Sequence, residues 1–385
     1  MRRVALTVFG LSLLSSGPVS AGAETTLYSF CTQGGNSCTD GIQPVRSGVV
    51  SDSSGNLYGT TYTAGPNQGG EVFKLTPEGV LSVPLGFPDP YGGGGPIGGV
   101  VRDEAGNFYG ATQDHVFKLA PDGSETLLHY FSGDGNHNYL LQSGVSLDRK
   151  GNVYGTSYLG GAGGDGILFR ITPQTKLKVL HAFAGSDGAF PESPPIVDRD
   201  GNLFGVTSGG GSDNCVSNGC GVVYEVMKGG IYKVLYAFTG GNDGYNPVEG
   251  LALDRAGNLY GMALLGGVNG CGTVFKIPPD GSEITLHGFT YNDDFHDGCG
   301  PESQPVVDKK GNLYATTRAG GDLGGGTVFE ITATGKEKIL YAFGSAPDAA
   351  KPDGKLLMGS DGALYGTTLA GGTKGWGTVY KISLH

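Results

Sequence analysis

The chain is poor in several things, and each shortage closes off a class of function. It has a single tryptophan, Trp376, and only 25 Lys and Arg against 36 Asp and Glu. A chain this acidic lacks the basic surface that phosphate contacts need, so nucleic-acid binding is not expected. After the first 23 residues no apolar run is long enough to cross a bilayer. No Gly-x-Ser-x-Gly elbow, phosphate-binding loop or zincin helix is present. The glycine runs at 92–95 and 324–326 are not followed by helical patterns, so they are not nucleotide sites. No reaction can be named from motifs.

What the chain has in excess is glycine, 74 residues, and six cysteines. Glycine at that level without order would indicate disorder. Here it recurs at fixed places. The word Gly-Asn-Leu-Tyr-Gly, or a close variant, begins at Gly55, Gly106, Gly151, Gly201, Gly257, Gly311 and Gly362, a period of 45 to 56 residues. A period of that size marks stacked copies of one supersecondary unit.

The first 23 residues carry Arg2 and Arg3, an apolar run over 4–14, and small residues ending at Ala23. That is the layout of a secretory signal peptide cut after Ala23. Its removal leaves 23 basic residues against 36 acidic ones, a net charge of −13. The expected location is secreted, periplasmic or at the cell surface. An even number of cysteines in an exported chain suggests disulfides among Cys31, Cys38, Cys215, Cys220, Cys271 and Cys299. Cys31/Cys38 and Cys215/Cys220 are close enough for local loops, which leaves Cys271/Cys299; spacing alone does not fix the pairing. No histidine accompanies them at zinc-finger spacing.

One repeat, over 247–289, reads as four short strands rich in β-branched and aromatic residues. Strands one and two are joined by Asp-x-x-Gly-Asn, in which Asp can cap the turn and Gly supplies positive φ. The Asp recurs at 52, 103, 148, 198, 254 and 308. Strands three and four are joined in several copies by x-Pro-x-Gly, as at Pro279/Gly281. Four antiparallel strands per repeat make a propeller blade.

Strand three recurs as Val-Phe-Lys-Leu-like words seven times. Strand four ends seven times on phenylalanine, at 30, 87, 131, 183, 238, 289 and 343. The mature chain therefore starts with a fourth strand and stops after a third. The expected architecture is all-β: one seven-bladed β-propeller over 24–385, with 24–30 completing the last blade beside 354–385. Closure removes the free sheet edges that invite aggregation.

The words Gly-Asn-Leu-Tyr-Gly-Thr-Thr over 55–61 and Gly-Gly-Thr-Val-Phe over 325–329 resemble the GloVer (Gloeo/Verruco) tandem-repeat family of bacterial exported proteins, and the likeness covers nearly all of the mature chain. The resemblance implies an exported repeat protein, often surface-attached, with no established activity and no catalytic residues to transfer. Unlike the anchored members, this sequence stops at His385 without a sorting tail.

If tight turns occupy one rim of the ring, the long two–three and four–one connections, with all six cysteines, occupy the other. Binding is expected there. Blade two has only Gln113, Asp114 and His115 between strands two and three, which lowers the rim and makes a notch. Asp-Gly-x-x-Pro recurs in the four–one loops at Asp40, Asp187, Asp243 and Asp297, and with Ala349 in place of Gly at Asp348. These carboxylates could ring the channel mouth and take Ca²⁺ or a cationic ligand. A repeated Asx-turn is the plainer reading. His129, His181 and His287 share a repeat position with Tyr28, Tyr236 and Tyr341, which points to packing or a shared hydrogen bond. His115, His137 and His296 do not repeat; His296 lies near Asp293, Asp294 and Asp297 and is a candidate ligand or base. Trp376 could stack on a sugar or a partner.

The ligand-binding candidates are thus Asp294, His296, Trp376 and His115. The function expected is an exported, non-enzymatic binding module, a monomer, for a glycan, peptide or envelope component, with no cofactor required. The alternatives are a lyase or hydrolase acting on a polysaccharide or lactone at the channel mouth, and a purely structural surface protein.

Overall fold

In the computed structural model, seven antiparallel sheets are arranged as blades around a central channel. The structure describes residues 23–88, 95–131, 139–215, 218–290, 296–344 and 347–384. Residues 1–22, His137, Asp293 and Asp294 lie outside them.

Blade five is typical. Its strands are Ala252–Leu253, Leu259–Ala263, Gly270–Ile277 and Ile284–Thr290, hydrogen-bonded in that order. The expected turns form at each end. Asp254 accepts from the backbone amides of Ala256 (2.8 Å) and Asn258 (2.9 Å), the Asn258 side chain (2.6 Å) and the Tyr260 hydroxyl (3.1 Å). One carboxylate thus fixes the turn and ties it to the next strand. Asp52 and Asp148 accept the same four kinds of bond.

Each repeat word also has a packing reason. The Gly of strand two lies beneath the aromatic ring of strand three: a Cβ on Gly261 would stand 2.4 Å from the Phe275 ring. The phenylalanine that ends strand four is buried against the strand-three aromatic of the next blade. The seven contacts are Phe30–Phe73, Phe87–Phe117, Phe131–Phe169, Phe183–Tyr224, Phe238–Phe275, Phe289–Phe329 and Phe343–Tyr380, at centroid separations of 4.9 to 5.4 Å. Burying one such ring contributes about 1.5–3 kcal/mol, and edge-on aromatic pairs add about 0.5–1.5 kcal/mol. The seams therefore carry the core.

Closure occurs as the strand phase requires. Glu24–Ser29 pairs antiparallel with Thr378–Ile382 as the fourth strand of blade seven, with Glu24 opposite Ile382. Phe30 then donates its amide to Gly377 (3.0 Å) and packs on blade one.

Three disulfides form: Cys31–Cys38, Cys215–Cys220 and Cys271–Cys299. The third ties strand three of blade five to Cys299–Pro301, which pairs with blade six. Among the described residues no helix is long and apolar enough to span a membrane.

Candidate ligand site at the channel mouth

The loop-side mouth is shaped by a recurring corner. Pro44, Pro191, Pro247, Pro301 and Pro352 each pack against a glycine of the preceding blade, at Gly377, Gly166, Gly221, Gly272 and Gly326, where an added Cβ would lie 2.6 to 2.8 Å from the proline Cδ. The residue before each proline has positive φ: Gln43, Phe190, Asn246, Gly300 and Lys351. Four of these donate their amide to that preceding blade: Gln43 to Trp376 O, Phe190 to Asp165 O, Asn246 to Cys220 O and Lys351 to Gly325 O, at 2.8 to 3.1 Å. The left-handed bend is held by hydrogen bonds, and it delivers the residues after each proline to the channel.

Those residues vary around the ring, with Pro-Glu-Ser shared by blades four and six. They are Val45 and Arg46 in blade one, Glu192 in blade four, Val248 and Glu249 in blade five, Glu302 in blade six and Asp353 in blade seven. Arg46 reaches across the channel. It donates to Glu192 Oε2 (2.8 Å) and Gln142 O (3.3 Å), and its Nε lies 3.3 Å from Glu249 Oε1. Arg318, from the end of strand Leu313–Ala319, pairs with Glu302 at 2.8 Å.

Above Arg46 is a cavity of about 320 Å³, open to the loop face and lined by Val45, Tyr62, Ile97, Gln113, Leu140, Gln142, Glu302, Arg318, Asp353 and Leu369 with Arg46. Below it a second cavity of about 240 Å³ contains Gln304 and Lys355 and shares Arg46. Arg46 and its two carboxylates thus divide the channel into a mouth and a lower chamber.

Burial raises Glu249 to about 8, with Arg46 pulling it back. Burial also raises Asp353, with Glu302 adding to the effect, to about 6. Burial alone would lower Arg46, but Glu249 and Glu192 outweigh it and hold the guanidinium charged. Lys355 is reached by solvent in the lower chamber yet surrounded by protein, which lowers its ammonium. Asp353 Oδ1 is buried and accepts no hydrogen bond.

Residues singled out in the sequence lie elsewhere. His115 begins the third strand of blade two, with Nδ1 2.7 Å from Thr112 Oγ1 and 2.8 Å from Asp114 Oδ1, and its ring lies near Phe87 and Phe117. The short connection beside it brings Gln113 into the mouth, where Gln113 donates to the Tyr62 hydroxyl at 2.8 Å. His296 is exposed and pairs with Asp322 of blade six. Trp376 is 41 % exposed on the last two–three loop. Neither His296 nor Trp376 lines the mouth cavity, and Asp294 lies outside the described residues.

The Asp-Gly-x-x-Pro carboxylates face strand four. Asp40 accepts from the Tyr28 hydroxyl (2.7 Å), Asp243 from that of Tyr236 (2.9 Å), and Asp187 lies 2.9 Å from His181 Nε2. The Tyr/His alternation is therefore a shared hydrogen bond to a turn aspartate. Among the described residues no group of three or more His, Cys, Asp or Glu is placed to hold a metal ion.

Sequence reasoning did not find Arg46, Glu249, Glu302, Arg318 or Asp353. A signal for four of them existed: Arg46, Glu249, Glu302 and Asp353 each lie one or two positions after the repeated proline, where charged residues gather.

Closed into a ring of seven four-stranded blades, the chain is a β-propeller. The chain belongs to the Gloeobacter/Verrucomicrobia repeat family, whose model matches residues 113–217 and 214–385. A comparison with curated proteins finds no match. Among solved structures it is similar to virginiamycin B lyase from Staphylococcus aureus, with TM-score 0.62 and 11 % identity over 94 % of this chain and 99 % of that one. It is also similar to the extracellular domain of a hybrid two-component system from B. thetaiotaomicron, with TM-score 0.56 and 12 % identity over 94 % of this chain and 41 % of that one. At these identities the likeness is one of fold.

Proposed function

We propose that the protein is an exported binding module that takes a small polar ligand, such as part of a glycan, peptide or envelope component, into the loop-side mouth of its channel. One observation carries this reading. The blades repeat in their turns and seams, yet the residues delivered to the channel are charged and largely buried, and they change among Arg, Glu and Asp around the ring: Arg46, Glu192, Glu249, Glu302 and Asp353. Buried charge is costly unless it is paired or used, and nothing in the blade scaffold requires it at these places. The mouth is concave and combines Tyr62, Ile97, Leu140 and Leu369 with convergent polar groups, as small-molecule sites do. Three disulfides suit an oxidising compartment outside the cytoplasm.

A thermal-shift and ligand-observed NMR screen of glycans and short peptides tests the proposal, using the mature chain and a mouth-filled Gln142→Trp variant with unchanged melting temperature. Hits on the native chain should weaken by about tenfold or more in the variant, the loss of roughly 1.4 kcal/mol. Absence of hits, or hits that the variant binds equally well, would sink the reading.

A further inference from the structure

We infer that the mouth is built to receive a protonated amine, which would sit against Asp353; this rests on the mouth being the binding site. The two guanidinium groups that border the mouth are already engaged: Arg46 by Glu192 and Glu249, and Arg318 by Glu302. Among the described residues Asp353 forms no ion pair; it receives a backbone hydrogen bond from Arg46, and its residue is only 6 % exposed. Its Oδ1 has no hydrogen-bond donor from the chain. A buried carboxylate oxygen without a donor costs about 1–3 kcal/mol or more, and the chain leaves that cost in place beside an open cavity.

A ligand that brings donors and positive charge relieves it; an anion leaves Asp353 unrelieved and meets an Arg46 already engaged on both sides and an Arg318 whose Nη1 is held by Glu302. The walls admit the rest of such a molecule. Gln113 and Gln142 can meet hydroxyls or amides, and Tyr62 and Leu140 offer apolar contact. The acidic chain, with formal charge −11, also draws cations toward it over long range.

The groups facing Asp353 from the surrounding blades are Arg46, Glu192, Glu249, Glu302 and Arg318. No histidine is among the residues lining the mouth. Asp353, raised by burial and by Glu302 to about 6, is the member whose charge changes just below neutrality. The ionised carboxylate must meet an amine that still holds its proton, so affinity should be greatest near pH 7, fall as pH drops through 6, and fall again above about pH 8 as the amine deprotonates.

The test is calorimetric titration with matched pairs. One pair is a glucosamine oligomer and its N-acetylated counterpart; the other is a short glycine peptide with a free and with an acetylated amino terminus. These arms separate an amino-sugar source from a peptide source. In either arm the free amine should bind about tenfold or more tighter than its acetylated twin, in keeping with a charge-assisted hydrogen bond. Asp353→Asn should erase that difference. The twin comparison uses the native chain, so it stands whether or not the variant folds.

Equal binding of both twins, no binding of either pair, or a preference that survives in a folded Asp353→Asn chain would each overturn the inference. A neutral or anionic ligand that Gln142→Trp excludes would defeat the amine while leaving the mouth as the site. An amine that Gln142→Trp does not weaken would defeat the mouth itself.

Discussion

On the tight-turn face, Asp254 has every lone-pair direction engaged by a donor of its own hairpin. On the loop side, Asp353 Oδ1 and both oxygens of Glu71 are buried with none. Glu71 stands opposite Thr61 at the start of strand three of blade one. The equivalent residues of blades six and seven, Thr327 and Thr378, bond to Thr317 and Thr368 at 2.8 Å. The same chemical group thus stabilises one face and burdens the other. The hairpin aspartates of the tight-turn face are satisfied, whereas Asp40, Glu71, Glu249 and Asp353, on the loop side, each have a buried oxygen without a hydrogen-bond donor among the described residues.

The contrast can be broken most severely from the scaffold side. Phe275→Ala removes the ring that covers Gly261 and packs on Phe238 (5.1 Å). A cost of about 3–5 kcal/mol is expected, read from the denaturant midpoint.

The next test reverses the sign. Burial, with Asp40 adding to it, raises Glu71 to about 9, whereas the unfolded chain ionises near pH 4. Between those values the folded state holds a proton that the unfolded state has lost, so Glu71 lowers stability as pH rises. Glu71→Thr, which restores the residue of blades six and seven, should stabilise the protein by about 1–3 kcal/mol at pH 8. The gain should shrink toward pH 5. A loss of stability at pH 8 would show that Glu71 is doing something other than carrying an unpaired burial cost.

Asp254→Ala should cost about 1–3 kcal/mol at neutral pH. Asp254 is itself buried in part, but its bonds from Asn258 and Tyr260 leave it below the ordinary carboxylate range. Its stabilisation is therefore complete above about pH 4 and is lost as pH falls further, so the mutant and native midpoints should converge in acid. The smallest effect is expected at the outer rim. His296→Ala removes an exposed pair with Asp322 and should move stability by no more than about 0.5 kcal/mol.

The legible part of the fold was the part that repeats locally. Asp254, Gly257 and Asn258 lie within five residues of one another, so a turn can be read from them directly. The strand-four phenylalanines mark blade edges because each is buried against the next blade, and the phase of Phe30 against Thr378–Ile382 follows from counting. The cysteine partners also proved near in sequence, at separations of 5, 7 and 28. The mouth was illegible for the opposite reason. Arg46 and Asp353 are 307 positions apart, and the corner that turns each toward the axis has a left-handed residue at Gln43 and at Lys351, types that do not advertise it. Glu71 reads as an ordinary charged residue on a strand; only the surrounding glycines and Thr61 make it a buried one. Selecting non-repeating residues by type led to His296 and Trp376, which the ring displays at its periphery.

The strand pairing of Glu24 with Ile382 has a kinetic consequence. Bringing those ends together across more than 350 residues costs about 5 kcal/mol in chain entropy, by logarithmic growth with loop length. That cost is repaid only when Phe30 and the last hairpin dock. Blade seven should therefore be the last to assemble and the first to exchange its amides. Blade seven contributes Asp353, and blade one, across the same clasp, contributes Arg46. An unclasped intermediate has most of its blades but no mouth, so the cavity exists only once the fold is complete.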